Sequence, residues 1–274
     1  MTSYRRFIKD SKQLNGVLEN NDVLLISQNS GNRSIVYEMN INTGKRTKLI
    51  ALHSNNYKVF PNGEKILSIT NTLYKVISMT TNDTIVSMKS ITLHDILLIL
   101  DNNRVFIITS DEQKENMYYQ IWHLHNNRLS DKVRINRKYS TIKNPFLVNK
   151  SIVAIITLDN MILIDLNNNE QRIVEFDAAI LVTHFPYQSD TGSILLQGYY
   201  KLFIFTIYDM NHVSIKEVRK PFGELIYTFN IVNDNILIWA STSNLHLYDI
   251  TMSRYIKTVF ISNYSSVVYD NSSK

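Results

Sequence analysis

The chain contains no cysteine, which excludes disulfides, thiolate nucleophiles and cysteine-ligated zinc and fits a reducing compartment. Glycine is scarce, seven residues in 274, and the seven are scattered singly. No phosphate-cradling glycine loop, Gly-X-Ser-X-Gly elbow or His-Glu-X-X-His helix occurs, which argues against an enzyme built on a local motif. Charged residues make up only 19%, while Asn, Ile, Tyr and Ser are abundant, a bias toward strands joined by Asn-rich turns. No segment approaches the roughly 18 apolar residues of a membrane span. Residues 1–10 carry Arg5, Arg6 and Lys9 but no apolar stretch of a secretory leader. The expected location is therefore inside the cell, in cytoplasm or nucleus.

What is present is a repeat. Six apolar alternating runs each end in a polar break, centred on Glu38, Ser78, His123, Asp165, Asp209 and Asp249, with steps of 40, 45, 42, 44 and 40 residues. That spacing falls in the window of about 40 to 45 residues for four-stranded propeller blades. With 44% hydrophobic residues the chain has ample material for a core. The expected fold class is all-β: a single β-propeller over residues 1–274, of about six four-stranded blades with seven as the alternative. Residues 1–12 and 262–274 remain as a closure strand or terminal tails.

The last repeat divides most clearly, into strands at 225–231, 236–240, 245–250 and 255–261. The others run at about 57–89, 95–135, 145–176 and 178–219, and 23–27 repeats the second strand near the start. The second strands are the most diagnostic. Each is an apolar run closing on a small residue: Ser27, Thr70, Thr109, Thr157, Gly198 and Ala240. A strand buried on both faces reads as continuously apolar, and a small residue lets crowded sheets converge.

This pattern resembles the WD40 superfamily over nearly the whole chain. Tyr208-Asp209 and Tyr248-Asp249 stand where that family places its Trp-Asp dipeptide, with Ile164-Asp165 a weaker match. No Trp-Asp and no Gly-His dipeptide occurs, so the resemblance implies a divergent propeller held mainly by apolar packing. It also implies a rigid platform that holds peptides or partner subunits.

Several groups are candidates for chemistry. His123 and His125 have the two-residue spacing that puts side chains on one face of a strand, without a nearby carboxylate to complete a metal site. Asp165, Asp209 and Asp249 invite comparison with ring carboxylates of propeller hydrolases. Their equivalent repeat positions make them turn residues instead. The densest charge cluster is Lys132, Arg134, Arg137, Lys138, Tyr139 and Lys143, with Lys216, Arg219, Lys220 and Phe222 in the equivalent slot two blades later; Lys45, Arg46 and Lys48 lie on the first outer strand. Such groups suit acidic partners, and equally keep outer edges solvated. Two polar links, 110–117 and 186–191, read as exposed loops of the kind that carry function.

The expected function is a non-catalytic protein–protein interaction scaffold within a larger intracellular complex, its partners other protein subunits or peptides. No cofactor or metal is expected. The alternative is a binder of nucleic acid or anionic phospholipid through a basic propeller face, although a net charge of +5 is modest for that task. A propeller hydrolase is the second alternative.

Overall fold

The computed structural model describes residues 13–17, 23–30, 33–40, 43, 45–54, 56–92, 95–111, 113, 116–136, 145–157, 160–176, 187–188, 193–197, 201–219, 226–232, 235–241 and 244–260. All regular structure among them is β. The chain forms two compact units, residues 1–139 and 140–274, each with three antiparallel sheets among the described residues.

In the first unit, sheet one contains β1 (Gln13–Val17), β2 (Val23–Ser30), β3 (Arg33–Asn40) and β4 (Arg46–Leu52). Sheet two contains β5 (Asn56–Val59), β6 (Lys65–Ile69), β7 (Leu73–Ser78) and β8 (Thr84–Lys89). Sheet three contains β9 (Ile96–Asp101), β10 (Arg104–Ser110), β11 (Met117–His123) and two short segments, β12 (Arg128–Leu129) and β13 (Val133–Ile135), both paired to β11. In the second unit, sheet four contains β14 (Pro145–Leu147), β15 (Ile152–Ile156), β16 (Asn160–Asp165) and β17 (Gln171–Glu175). Sheet five contains β18 (Tyr187–Gln188), β19 (Ile194–Gln197), β20 (Lys201–Ile207) and β21 (Val213–Arg219), and sheet six β22 (Ile226–Val232), β23 (Ile236–Ser241), β24 (Asn244–Asp249) and β25 (Arg254–Phe260).

Five of the sheets pair only strands consecutive in sequence and are simple meanders; sheet three is a meander from β9 to β12 with β13 returning to pair with β11. The second strands of sheets two to six are largely buried, as their composition predicts, and so are the third strands β16 and β20. Ile152 through Ile156 are all buried, as are residues 105–110 of β10. Apolar side chains from facing sheets merge. Phe60, Leu67 and Val76 of sheet two meet Leu97, Ile107 and Trp122 of sheet three. Leu163 of sheet four meets Phe203 and Phe205 of sheet five, and Leu195 and Val218 of sheet five meet Trp239 and Tyr248 of sheet six.

The hairpins between third and fourth strands have one recurring design. Asn82, Asn127, Asn169 and Ser253 take positive φ of 64°, 54°, 61° and 53°, and each lies four residues after the middle of its repeat. Asn tolerates this left-handed corner better than other non-glycine residues, because its short polar side chain bonds locally. In sheet four the Asn169 N–H donates to the Asp165 carbonyl at 2.8 Å, and the Asp165 N–H to the Glu170 carbonyl at 3.0 Å.

Two of the small residues closing the second strands, Thr157 and Thr70, have a more specific task than the expected relief of crowding. The Thr157 hydroxyl donates to the Asn160 carbonyl at 2.9 Å and accepts the Asn160 N–H at 3.2 Å, all within a buried turn. Thr70 makes the same pair with Leu73 at 2.8 and 3.0 Å. Two expectations need correction. Residues 187–188, read as part of a loop, form the first strand of sheet five, with Tyr187 opposite Leu195. The link read as 110–117 is shorter, because Ser110 and Met117 are paired strand residues. The outer strand of sheet three consists of two pieces, β12 and β13. The closure segments expected at 1–12 and 262–274 lie outside the described residues.

Candidate interaction site on the third sheet

The break in the outer strand of sheet three has a local cause. Leu129 pairs with Trp122, and Val133 with Tyr119, so the residues between them must cover a shorter stretch of β11. Ser130 sits at the break: its N–H donates to the Ile121 carbonyl at 2.8 Å, and its hydroxyl oxygen accepts the Ile121 N–H at 2.9 Å. The Gln120 amide donates to the Ser130 carbonyl at 2.9 Å. These bonds satisfy the backbone where the ladder is interrupted. The chain then re-enters the sheet with Lys132 and Arg134 in front of Tyr118.

The register of β13 on β11 sets the positions of both cations. Arg134 stands directly opposite Tyr118, and Lys132 lies diagonal to it. The Lys132 ammonium sits 4.2 Å from the centre of the Tyr118 ring, a cation–π contact. One Arg134 amino group donates to the Asn116 side-chain oxygen at 2.6 Å. The Asn116 side-chain amide donates in turn to Asp111 at 2.7 Å, and the Asn116 N–H donates to the same carboxylate oxygen at 3.1 Å. Arg134, Asn116 and Asp111 thus form a chain of charge-assisted bonds from the outer strand to the loop between β10 and β11. The polar link and the basic stretch, separate in the sequence, become one site.

The charges here are mixed. Asp131 precedes Lys132 and Arg134 on the sheet edge, and Asp111 joins them from the loop between β10 and β11. The second basic segment has the same character: Lys216 and Arg219 lie on β21 with Glu217 between them, and Glu217 forms an ion pair with Lys201. Lys216 is half-buried and Arg219 exposed. Arg137, Lys138, Tyr139, Lys143, Lys220 and Phe222 lie outside the described residues. Of the first-sheet cations, Lys45 and Lys48 are exposed.

The remaining candidates separate cleanly. β11 ends at His123 and His125 lies in the turn beyond it, so they do not share a strand face, although their rings come within 6.0 Å. Among the described residues no three His, Asp or Glu side chains gather. The three aspartates close hairpins: Asp165 accepts the Asn167 N–H at 2.9 Å, Asp209 the Asn211 and His212 N–H groups at 2.6 and 2.8 Å, and Asp249 the Met252 N–H at 2.8 Å. A bond from the His212 ring, then the Asn211 N–H, holds the Asp209 carboxyl below its ordinary range.

Sequence reasoning missed a polar node at the end of sheet two. Asp95 accepts the Ile91 N–H at 2.9 Å, the Thr92 N–H at 3.0 Å and the hydroxyl of buried Tyr74. Burial first, and then the bond to Asp95, pushes the Tyr74 pKa well above that of an ordinary phenol. Nothing in the local sequence marks a tyrosine and an aspartate 21 residues apart as partners. Burial also lowers the pKa of the Lys58 ammonium on β5, the first strand of sheet two.

Comparison with solved structures identifies the architecture. The chain is similar to the β-propeller domain of Cps50 (Swd1) from Myceliophteria thermophila, at 8% identity and TM-score 0.66 over 93% of this chain and 88% of that one. It is similar to the β-propeller domain of the Trilobed protease from Pyrococcus furiosus, at 9% identity and TM-score 0.59 over 93% and 82%. An oligogalacturonate lyase in complex with manganese matches at 11% identity and TM-score 0.61 over 91% and 77%. No family model and no curated protein matches the sequence. The fold is that of a β-propeller, as the WD40 resemblance implies.

Proposed function

We propose that this chain is a non-catalytic interaction scaffold, a subunit of a larger intracellular assembly, and that the outer edge of sheet three is a contact for a protein partner. The observation that carries this reading is the Arg134–Asn116–Asp111 chain beside Lys132 on Tyr118. Both cations are held in place before any partner arrives, which lowers the ordering cost of binding. Acids and bases alternate at close range, and complementary mixed charge gives specificity toward another protein surface. A polyanion binder calls for cations without interspersed carboxylates, because affinity follows the number of neutralised phosphates. The non-catalytic reading draws support from the hairpin bonds of Asp165, Asp209 and Asp249, which engage their carboxylates in turns.

The test is quantitative affinity purification of the tagged full chain from its native cells, beside Lys132→Glu/Arg134→Glu. The expected result is the selective loss of a specific protein partner from the double variant, which still unfolds cooperatively as a folded chain. Undiminished capture of every partner by the variant overturns this assignment. Capture that yields nucleic acid, or falls steeply with added salt in proportion to phosphate contacts, favours the alternative.

A further inference from the structure

One end of sheet three carries a row of directly opposite residues. Asp101 of β9 stands opposite Arg104 of β10, Arg104 opposite His123 of β11, and His123 opposite Arg128 of β12. Partners so placed share a face, with Cβ atoms about 4.5–5.5 Å apart. Val105 and Trp122, the neighbours of Arg104 and His123, pack into the core shared with sheet two, so strand alternation directs the row to the opposite face. In the turn after β11 the His125 ring lies edge-on to the His123 ring, with centroids 6.0 Å apart. His125 and Arg128 are exposed, and His123 is half-buried.

The charges of the row do not cancel. Asp101 engages Arg104, at 2.7 Å from its Nε. Arg128 forms no ion pair among the described residues. Its backbone N–H donates to the Asn126 side-chain oxygen at 3.2 Å, which fixes the start of β12 and leaves the guanidinium uncommitted among the described residues. Two guanidinium groups therefore flank His123, with one carboxylate to answer them. A divalent metal is disfavoured here: two imidazoles without a third ligand make an incomplete site, and neighbouring cations repel the ion. The same surroundings favour an anion. Imidazole N–H groups and a guanidinium fork are donors that match the three acceptor oxygens of a phosphate group, through charge-assisted bonds.

We propose that His123, His125 and Arg128 bind the phosphate group of a phosphomonoester, with Arg104 adding its charge from the next strand. Arg128 makes the forked contact to two oxygens, and each imidazole donates one bond. A carboxylate brings less charge and one oxygen fewer. The site takes a single phosphate rather than a nucleic-acid backbone, because the row is one residue deep and its second guanidinium is already paired. It lies at the far end of β11 from the Arg134 contact, roughly 20 Å along the strand, and stands whether or not that edge binds a protein.

NMR of the imidazole C–H signals of the full chain tests the proposal, by titration at constant ionic strength with acetyl-Gly-phosphoserine-Gly-amide, its unphosphorylated form and inorganic phosphate. Saturable shifts at His123 and His125 are expected from the phosphorylated peptide, with Kd of about 1 mM for so small a probe, and none from the unphosphorylated one. Tighter binding of the phosphopeptide than of inorganic phosphate assigns the group to a partner's modified side chain; equal or tighter binding of inorganic phosphate assigns it to the free anion. Arg128→Ser weakens binding about tenfold, and Arg128→Lys weakens it less, because lysine keeps the charge and loses the fork. Signals of the other histidines report that both variants remain folded. Absence of saturable shifts at these two rings overturns the proposal, as does unchanged affinity in Arg128→Ser. Micromolar saturation of both rings by zinc also overturns it, because the pair would then be a metal site.

Discussion

Asn82, Asn127 and Asn169 take the left-handed corners that glycine fills in most proteins, and the shortage of glycine in the sequence is answered at these positions. Asn169 can be tested directly. Asn169→Ala puts a residue with little tolerance of the left-handed region at φ 61° and lowers stability by about 1 kcal/mol, whereas Asn169→Gly is near neutral. Urea unfolding monitored by tyrosine fluorescence distinguishes the two. Tyr74 makes a prediction about pH. Unfolded, its phenol releases a proton near about pH 10; folded, burial and the Asp95 bond hold that proton to higher pH. Above about pH 10 the folded state therefore binds more protons than the unfolded one, and stability falls as pH rises. Tyr74→Phe removes that part of the slope and costs about 1 to 3 kcal/mol at neutral pH by taking a donor from Asp95. Unfolding midpoints across about pH 8 to about pH 11 check both parts.

At the scale of strands and sheets, irregularity falls on the first and last strands of a sheet. Bulges interrupt the registers of β1, β9 and β22 at one edge and of β4, β8 and β25 at the other, and in sheet three the outer strand breaks into two pieces. On the outer edges such breaks blunt pairing with other chains, and the one at Ser130 also shapes a candidate contact. Ser130→Ala removes the acceptor for the Ile121 N–H and lowers stability by about 1 kcal/mol. The same change releases β13, so faster amide exchange is expected at Val133 and Ile135 than at the β10 amides. Equal exchange at both strands would show that Ser130 does not hold the break.

The second strands were legible in sequence because burial on both faces leaves an unbroken apolar run, as at 152–156. The aspartates at 165, 209 and 249 were legible as turn residues because each holds the same position in its repeat. The break at Ser130 was not legible: a Ser-Asp pair looks the same in a turn, a bulge or a solvated strand. The inner strand at 187–188 was hidden by its brevity and by Pro186 beside it. The Arg134–Asn116 bond was hidden for another reason. It depends on β11 and β13 pairing so that Tyr118 faces Arg134, and register is a property of the assembled sheet.

At the scale of the whole molecule, every sheet is complete with strands consecutive in sequence, and no strand is exchanged between sheets among the described residues. Each sheet can therefore form from a contiguous segment before packing on its neighbours, as repeat architectures do. Such a scaffold leaves its edges and loops to vary. The edge of sheet three, with its fixed cations and interspersed acids, is the proposed partner contact. Cross-linking mass spectrometry of the assembly purified from native cells, with an amine-reactive reagent, tests this most directly. The expected result is cross-links from Lys132 to a second polypeptide. Cross-links to partners from Lys75, Lys89 and Lys257 alone, with Lys132 modified but unlinked, would contradict it.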